Sequence, residues 1–100
     1  MPAGEVSFRA CNAGSLTREL VIPPLPAGGA GSRPAGAAGT VSERGSLGEA
    51  SASYAAGAGE GITPGAAGWV TLRLAPGRYE LICNMPGHYA KGMHTELDVR

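Results

Sequence analysis

The sequence predicts an all-β protein, built as a sandwich of two sheets, and two observations carry that prediction. Apolar and polar residues alternate with a period of two in several short runs, which is the pattern of half-buried strands. Turn-forming residues separate these runs, at 12–15, at 23–24 and at 75–78. Short alternating strands at such turn spacing are typical of β-sandwiches.

The first strand material lies in residues 5–25. Val6, Phe8 and Ala10 alternate with polar residues, and the turn signal Asn-Ala-Gly-Ser follows at 12–15. A second apolar run at 16–22 then ends at two prolines. We expect these two runs to form a pair of neighbouring strands.

Residues 69–100 carry the clearest strand pattern. Apolar residues share one face in the run 69–74, and a turn at 75–78 leads into 79–83, where Tyr79 and Cys83 share a face. In the last run Met93 begins the inward-facing set, whereas His94 begins a polar set that we expect to face water. Tyr79 is expected to be a core or corner tyrosine.

The middle of the chain, 27–68, has a different composition. Gly and Ala make up 24 of its 42 residues, so it contains few side chains able to build a core. Ser46 followed by Glu49 allows a short helix over 46–54. We expect the remainder to be a long, flexible surface excursion from a single domain that spans residues 1–100.

Charge and hydrophobic content exclude several classes of function. Eight acidic residues balance eight basic ones, so no basic surplus predicts a nucleic-acid partner. No apolar run approaches the roughly 20 residues of a membrane span, and the start of the chain has no signal-peptide pattern. Leu, Ile, Val and Phe total 17, so the core must be small.

The stretch CNMPGHYAKGM, residues 83–93, holds the candidate metal ligands Cys83, His88 and Met93. Strand parity places Cys83 and Met93 inward at the two ends of a loop that carries His88. A thiolate, an imidazole and a thioether form a soft donor set, which selects copper and above all Cu(I). Zinc makes little use of a thioether, and the chain lacks the cysteine pairs of a zinc knuckle.

Two segments resemble the blue copper proteins, or cupredoxins, of the plastocyanin-like family. YELICNMPGHYAKGM is similar to their C-terminal copper-ligand loop, and PAGEVSFRACNAGSLTRELVI is similar to an upstream segment; together they cover about half of the chain. The resemblance implies a cupredoxin-like Greek-key β-sandwich with a long Gly/Ala-rich insertion. It further implies an electron-transfer protein rather than an enzyme, with one type 1 copper ion as cofactor.

The resemblance also implies residue roles. Cys83 would be the thiolate ligand, His88 an imidazole ligand and Met93 the weak axial ligand. A redox partner protein would dock near His88, on a collar formed by Met85, Pro86 and Tyr89. Asn84 would stiffen the loop through a hydrogen bond. Such proteins are exported, so the resemblance implies a periplasmic or extracytoplasmic location.

The chain departs from the family pattern in two places. The first histidine ligand should fall where Arg18 stands, and a guanidinium cannot act as a ligand. Because an unpaired buried guanidinium is costly, either its head reaches the surface or the local strand is disturbed. In addition, the family's first two strands precede the upstream motif, and this chain begins at that motif. We therefore expect that one strand of each sheet is missing.

Other interpretations remain beside electron transfer. Cys83, His88 and Met93 suffice for a three-coordinate Cu(I) site, which favours copper binding or delivery as an alternative. A metal-free interaction module on the same fold is a further alternative. Cys11 shares its face with polar residues and is expected to be a free thiol, and His94 is expected to point away from the ligands.

Overall fold

The computed structural model describes residues 1–50 and 61–100, which form two antiparallel two-stranded sheets. Strand β1 (Gly4–Cys11) pairs with β2 (Ala67–Leu74), and β3 (Gly77–Ile82) pairs with β4 (His94–Val99). The predicted all-β architecture is therefore confirmed. In these two ranges no helix is long and apolar enough to cross a membrane.

Strands β1 and β2 form where the sequence alternates most regularly. Their register runs from Gly4 opposite Leu74 to Cys11 opposite Ala67. In β1 every second side chain is exposed, so Val6 and Phe8 pack against the core while Ser7 faces solvent. On the exposed face the hydroxyls of Ser7 and Thr71 lie 2.8 Å apart across the pair. This period-two pattern places the Cys11 end of β1 beside the start of β2.

The prediction of a regular strand at 16–22 paired with β1 is wrong. Arg18 pairs through its backbone with Ile62, and Val21 pairs with Ile82 of β3. Residues 20–25 instead run between β3 and 47–50, with backbone bonds to both sides, such as Val21 N–H to Ile82 O at 2.9 Å. Two adjacent prolines, Pro23 and Pro24, remove N–H donors and thereby prevent a continuous ladder here.

The core consists of two small clusters. One contains Ile22, Leu74, Tyr79 and Val99, with the inward residues of the strands around it. The other contains Val21, Val41, Ile82 and Tyr89. Tyr79 is buried and its hydroxyl donates to the Ala75 carbonyl at 2.7 Å, which is the corner role expected of it.

The Gly/Ala-rich segment contributes to this core in its described part. Val41 is 5% exposed and Ala50 is 1% exposed, and both lie against the sandwich. Residues 46–50 contain no helical turn, and the rest of the predicted 46–54 helix lies outside the described residues. The segment thus adds a packed side to the domain even though it has few large side chains.

A buried ion pair fastens the same segment to β3. Glu80 is fully buried, and its carboxylate accepts from Arg33 Nε at 2.6 Å, from Tyr89 Oη at 2.8 Å and from the Gly31 backbone N–H at 2.8 Å. Arg33 also donates to the Pro24 carbonyl. Because both carboxylate oxygens and two of the guanidinium nitrogens have partners, this pair can be buried without leaving an uncompensated charge.

Candidate metal centre

The loop 83–93 is closed by its own backbone. Cys83 N–H donates to the Met93 carbonyl at 3.0 Å, so the two ends of the loop lie side by side. His88 N–H donates to Met85 O at 2.9 Å, and Met93 N–H donates to His88 O at 3.1 Å. Gly87 and Gly92 have φ values of 80° and 101°, which only glycine adopts readily. The short bends bring the imidazole back over the thiol.

Cys83 and His88 meet at the centre of this loop. Cys83 is 3% exposed, and its Sγ lies 3.2 Å from His88 Nδ1. The same sulfur accepts a hydrogen bond from the backbone N–H of Glu19 at 3.2 Å. That N–H fixes the sulfur beside the segment that carries Arg18.

Met93 also lies at this end of the sandwich, in contact with Arg18. Arg18 Nη1 lies 2.8 Å from Met93 Sδ and donates to it. The backbone of Arg18 is held by reciprocal hydrogen bonds with Ile62, of 3.0 and 2.6 Å. A thioether is a weak acceptor, so the guanidinium gains little from this contact. Arg18 thus reaches one of the three candidate ligands from the opposite side of the loop.

Asn84 ties the loop to the Gly/Ala-rich segment. Its Oδ1 accepts from Val41 N–H at 2.8 Å, and its Nδ2 donates to Val41 O at 2.9 Å and to Glu43 Oε2 at 2.6 Å. Asn84 is 7% exposed, so these bonds are shielded from water. The residue that follows Cys83 is therefore fixed to a segment more than 40 positions earlier.

Glu19, whose backbone contacts Cys83, carries a partly buried carboxyl group. Burial above all, together with the nearby carboxylates of Glu49 and Glu43, raises the pKa of Glu19 to about 7. A hydrogen bond from the backbone of Asn84 acts in the opposite direction. Glu19 Oε1 is buried without a hydrogen-bond partner among the described residues.

Tyr89 and His94 are packed against their neighbours: Tyr89 is buried, and His94, predicted to face water, is half-buried. The expectation that Tyr89 contributes to an exposed collar is wrong, because it is 2% exposed and donates to Glu80. Its ring centroid lies 4.9 Å from that of His94. The His94 ring packs beside Gly31, where an added Cβ would approach Cε1 to 2.7 Å. Pro86 is exposed and Met85 is half-buried, so these two remain available on the surface.

Cys11 is a free, exposed thiol, as expected from its position in β1. Arg9 Nη1 donates to its Sγ at 3.0 Å. Cys83 is also free, so no disulfide removes the candidate ligand.

An open cavity of about 350 Å³ lies on the outer side of Met93. Arg18 lines it together with apolar side chains, and its remaining walls come from the end of β1 and the loop after it. The lining residues are Ala10, Cys11, Asn12, Gly14, Arg18, Glu19, Leu20, Ile62 and Met93.

Comparison with known proteins gives a structural match. No protein-family model matches the chain, and no curated protein matches it in sequence. Reduced rusticyanin superimposes with a TM-score of 0.69 at 21% identity, over the whole of this chain and 60% of rusticyanin. A methionine-to-glutamine mutant of rusticyanin superimposes with a TM-score of 0.62 at 22% identity, and the chain covers 59% of it. The fold is that of the cupredoxins.

A cupredoxin-like fold gives the Cys83–Met93 loop a defined place at one end of the sandwich. The described residues hold no group of three or more His, Cys, Asp and Glu side chains arranged for a metal ion. A metal ion bound by Cys83 and His88 would therefore need a further donor of another kind. The thioether of Met93 is the soft donor at this end, and together the three fit a copper ion by donor chemistry.

Proposed function

We propose that this protein binds one copper ion through Cys83, His88 and Met93 and works as an electron-transfer protein of the blue copper type. The observation that carries the proposal is the 3.2 Å approach of Cys83 Sγ to His88 Nδ1 in a cupredoxin-like fold. The sulfur of Cys83 and the imidazole of His88 converge there, and Cys83 is not in a disulfide.

The chain's own groups prepare this site in two ways. The Glu19 N–H donates to Cys83 Sγ and holds the sulfur in position for a metal ion. The backbone bonds within the loop and the Asn84 bonds to Val41 hold Cys83 and His88 in place, so little has to move when an electron is transferred. Copper, when bound, supplies the one-electron couple between Cu(I) and Cu(II).

In this proposal Arg18 occupies the position of the first histidine ligand. Its backbone neighbour Glu19 bonds to Cys83 Sγ, and its guanidinium reaches Met93 Sδ. Both contacts support the alignment of Arg18 with a ligand position, and they leave the site one nitrogen donor short.

Copper(I) binding or delivery is the second candidate, and the Arg18–Met93 contact favours it. While the guanidinium donates to Met93 Sδ, Cys83 and His88 are the two strong donors left. Copper(I) accepts such low coordination numbers and soft ligands. The added positive charge of Arg18 also disfavours Cu(II) more than Cu(I), because the repulsion grows with the charge of the ion.

A redox partner would reach the site beside His88, where Pro86 is exposed and Met85 half-buried. The proposal includes a periplasmic or other extracytoplasmic location, in keeping with electron carriers of this kind. Glu43, which accepts a hydrogen bond from Asn84, and Lys91, which lies in the loop itself, are exposed charged groups at this end and would set the ionic-strength dependence of docking.

The visible spectrum after addition of Cu(II) separates the candidates. An intense blue thiolate-to-copper band in the wild type, absent in Cys83→Ser, supports the electron-transfer site. Tight Cu(I) binding that is lost in Cys83→Ser, with no blue band, supports binding or delivery. Failure to bind either ion contradicts both. Arg18→His should restore or intensify the band, and an unchanged spectrum would contradict the position assigned to Arg18.

A further inference from the structure

We propose that the cavity beside Met93 binds a short-chain monocarboxylate through Arg18, and that this ligand frees the Met93 thioether for copper. The second half of the proposal rests on the proposed function, whereas the first half does not.

Arg18 carries a charge that is poorly matched by its contacts. Its side chain is half-buried, and no ion pair joins it to any carboxylate within residues 1–50 and 61–100. Its guanidinium donates a hydrogen bond to Met93 Sδ, which is a weak acceptor. A guanidinium has five N–H donors, so most of its capacity is left for another acceptor.

The space in front of Arg18 suits a small amphipathic anion. The cavity has a volume of about 350 Å³, near the lower end of ligand pockets in general. Ala10, Leu20 and Ile62 supply apolar walls around the charged group. Gly14 lies beside the guanidinium, where a Cβ would make an ordinary van der Waals contact of 3.4 Å with Arg18 Nη2.

The other polar groups of the cavity do not compete for the anion. Both functions of the Asn12 amide are used within the chain, since Nδ2 donates to two carbonyls and Oδ1 accepts from Gly14 N–H. Glu19 lines the cavity, but its carboxyl group accepts from the backbone of Asn84 and lies near Glu43 and Glu49. Arg18 is consequently the group that selects the ligand.

These features favour a carboxylate over a simple halide. The planar fork of a guanidinium matches the two oxygens of a carboxylate, and the apolar walls can cover a tail of a few carbon atoms. A carboxylate is a far better acceptor than a thioether. On binding it would therefore draw the Arg18 donors away from Met93 Sδ and leave that sulfur free.

Linkage then makes the two ligands cooperative. If the carboxylate releases Met93, it raises the affinity for Cu(I), and Cu(I) must raise the affinity for the carboxylate by the same factor. The carboxylate also neutralises the charge of Arg18, which otherwise repels the ion.

Titration calorimetry of the metal-free protein with sodium butyrate tests the site itself. Butyrate should bind, and butanamide, its neutral counterpart of the same shape, should bind roughly tenfold to a hundredfold more weakly. Arg18→Gln should weaken butyrate by a similar factor. Arg73→Gln serves as the control because it removes the same charge elsewhere. Arg73 lies in β2 opposite Glu5, six positions along β1 from Cys11, so this change should leave the butyrate affinity unaltered.

Equal binding of butyrate and butanamide would overturn the proposal, as would unchanged binding in Arg18→Gln or no binding at all. The comparison of the two ligands uses the wild type, so it holds even if a variant folds poorly. Cu(I) affinity with and without butyrate tests the coupling. A rise that Arg18→Gln abolishes supports it, and equal affinities overturn it. If copper fails to bind, the proposed function fails while the butyrate result stands.

Discussion

Arg33 and Arg18 are both half-buried arginines, and their surroundings differ in what they offer the charge. Arg33 donates to the Glu80 carboxylate and to the Pro24 carbonyl, and that carboxylate also holds Tyr89 and Gly31. Arg18 donates to the sulfur of Met93 and borders an open cavity. An arginine that donates to a carboxylate and a carbonyl holds parts of the structure together. An arginine that donates to a thioether beside a cavity is available to bind a ligand.

The two arginines are also expected to have different roles, one structural and one in ligand binding. The Arg33 side fastens the Gly/Ala-rich segment to β3 and to the loop that carries His88. Arg18 contacts the candidate donor Met93, and in the proposed function it stands at the position of the first histidine ligand. Stability should therefore depend on the first arginine, and ligand binding on the second.

The largest effect is expected from Glu80→Gln. The change leaves the Arg33 guanidinium, which is 12% exposed, without its counter-charge, and removing one member of a buried pair costs about 3–5 kcal/mol. The free energy of unfolding measured with urea should fall by that amount. Adding Arg33→Met should recover part of the loss. A matched change in an exposed pair, Glu96→Gln, should cost far less, and equal losses would contradict the comparison.

Asn84→Ala removes the second attachment on the Arg33 side. It leaves the Val41 N–H and carbonyl without their buried partners, which costs about 1–3 kcal/mol. Thr63→Ala, at an exposed position, serves as the control and should stay within about 0.5 kcal/mol. If both variants unfold alike, Asn84 does not anchor the segment.

Glu19, the residue after Arg18, should make the stability of the protein depend on pH. Its pKa is raised from 4.5 to about 7 on folding, so the folded state retains a proton that the unfolded state loses. This group's penalty is absent below pH 4.5, develops as the pH rises towards 7 and is complete above it, so stability falls through that window. Urea unfolding at several pH values should show this fall, and Glu19→Gln should flatten it. Parallel pH profiles for the two proteins would refute the assignment.

The smallest effect on stability is expected from Arg18→Gln. The variant loses one N–H to sulfur hydrogen bond and no ion pair to a described residue, so its free energy of unfolding should stay within about 1 kcal/mol of the wild type. A loss as large as that of Glu80→Gln would show that Arg18 is structural, and the comparison would fail.

The strands and the candidate ligands were predictable because their signals are local. Period-two alternation marks β1, β2 and β4, and the spacing of Cys83, His88 and Met93 marks a loop between strands. The structure lays Cys83 and His88 together as that loop geometry requires. Arg18 was identified through a resemblance, since its own position in an apolar run signals only that something is unusual.

The Arg33–Glu80 pair gave no comparable signal. Its two members lie 47 positions apart, and Arg33 comes from a stretch whose composition indicates loop rather than packing. Glu80 alternates with Tyr79 and Leu81 and so looks like a solvent-facing residue of a strand. The segment that covers this face can be recognised only from the fold, and the same reason explains why Tyr89 is buried and the run at 16–22 makes isolated bridges.

X-ray absorption at the copper edge of the Cu(I)-loaded protein tests the central claim most directly. We expect the copper ion to show scattering from one imidazole and from sulfur. In the Cys83→Ser variant the contribution of the thiolate sulfur should be lost. The Met93→Leu variant should retain the imidazole and the thiolate signals. A spectrum without sulfur, or one that Cys83→Ser leaves unchanged, would contradict the assignment of Cys83 and His88 as the centre of a copper site.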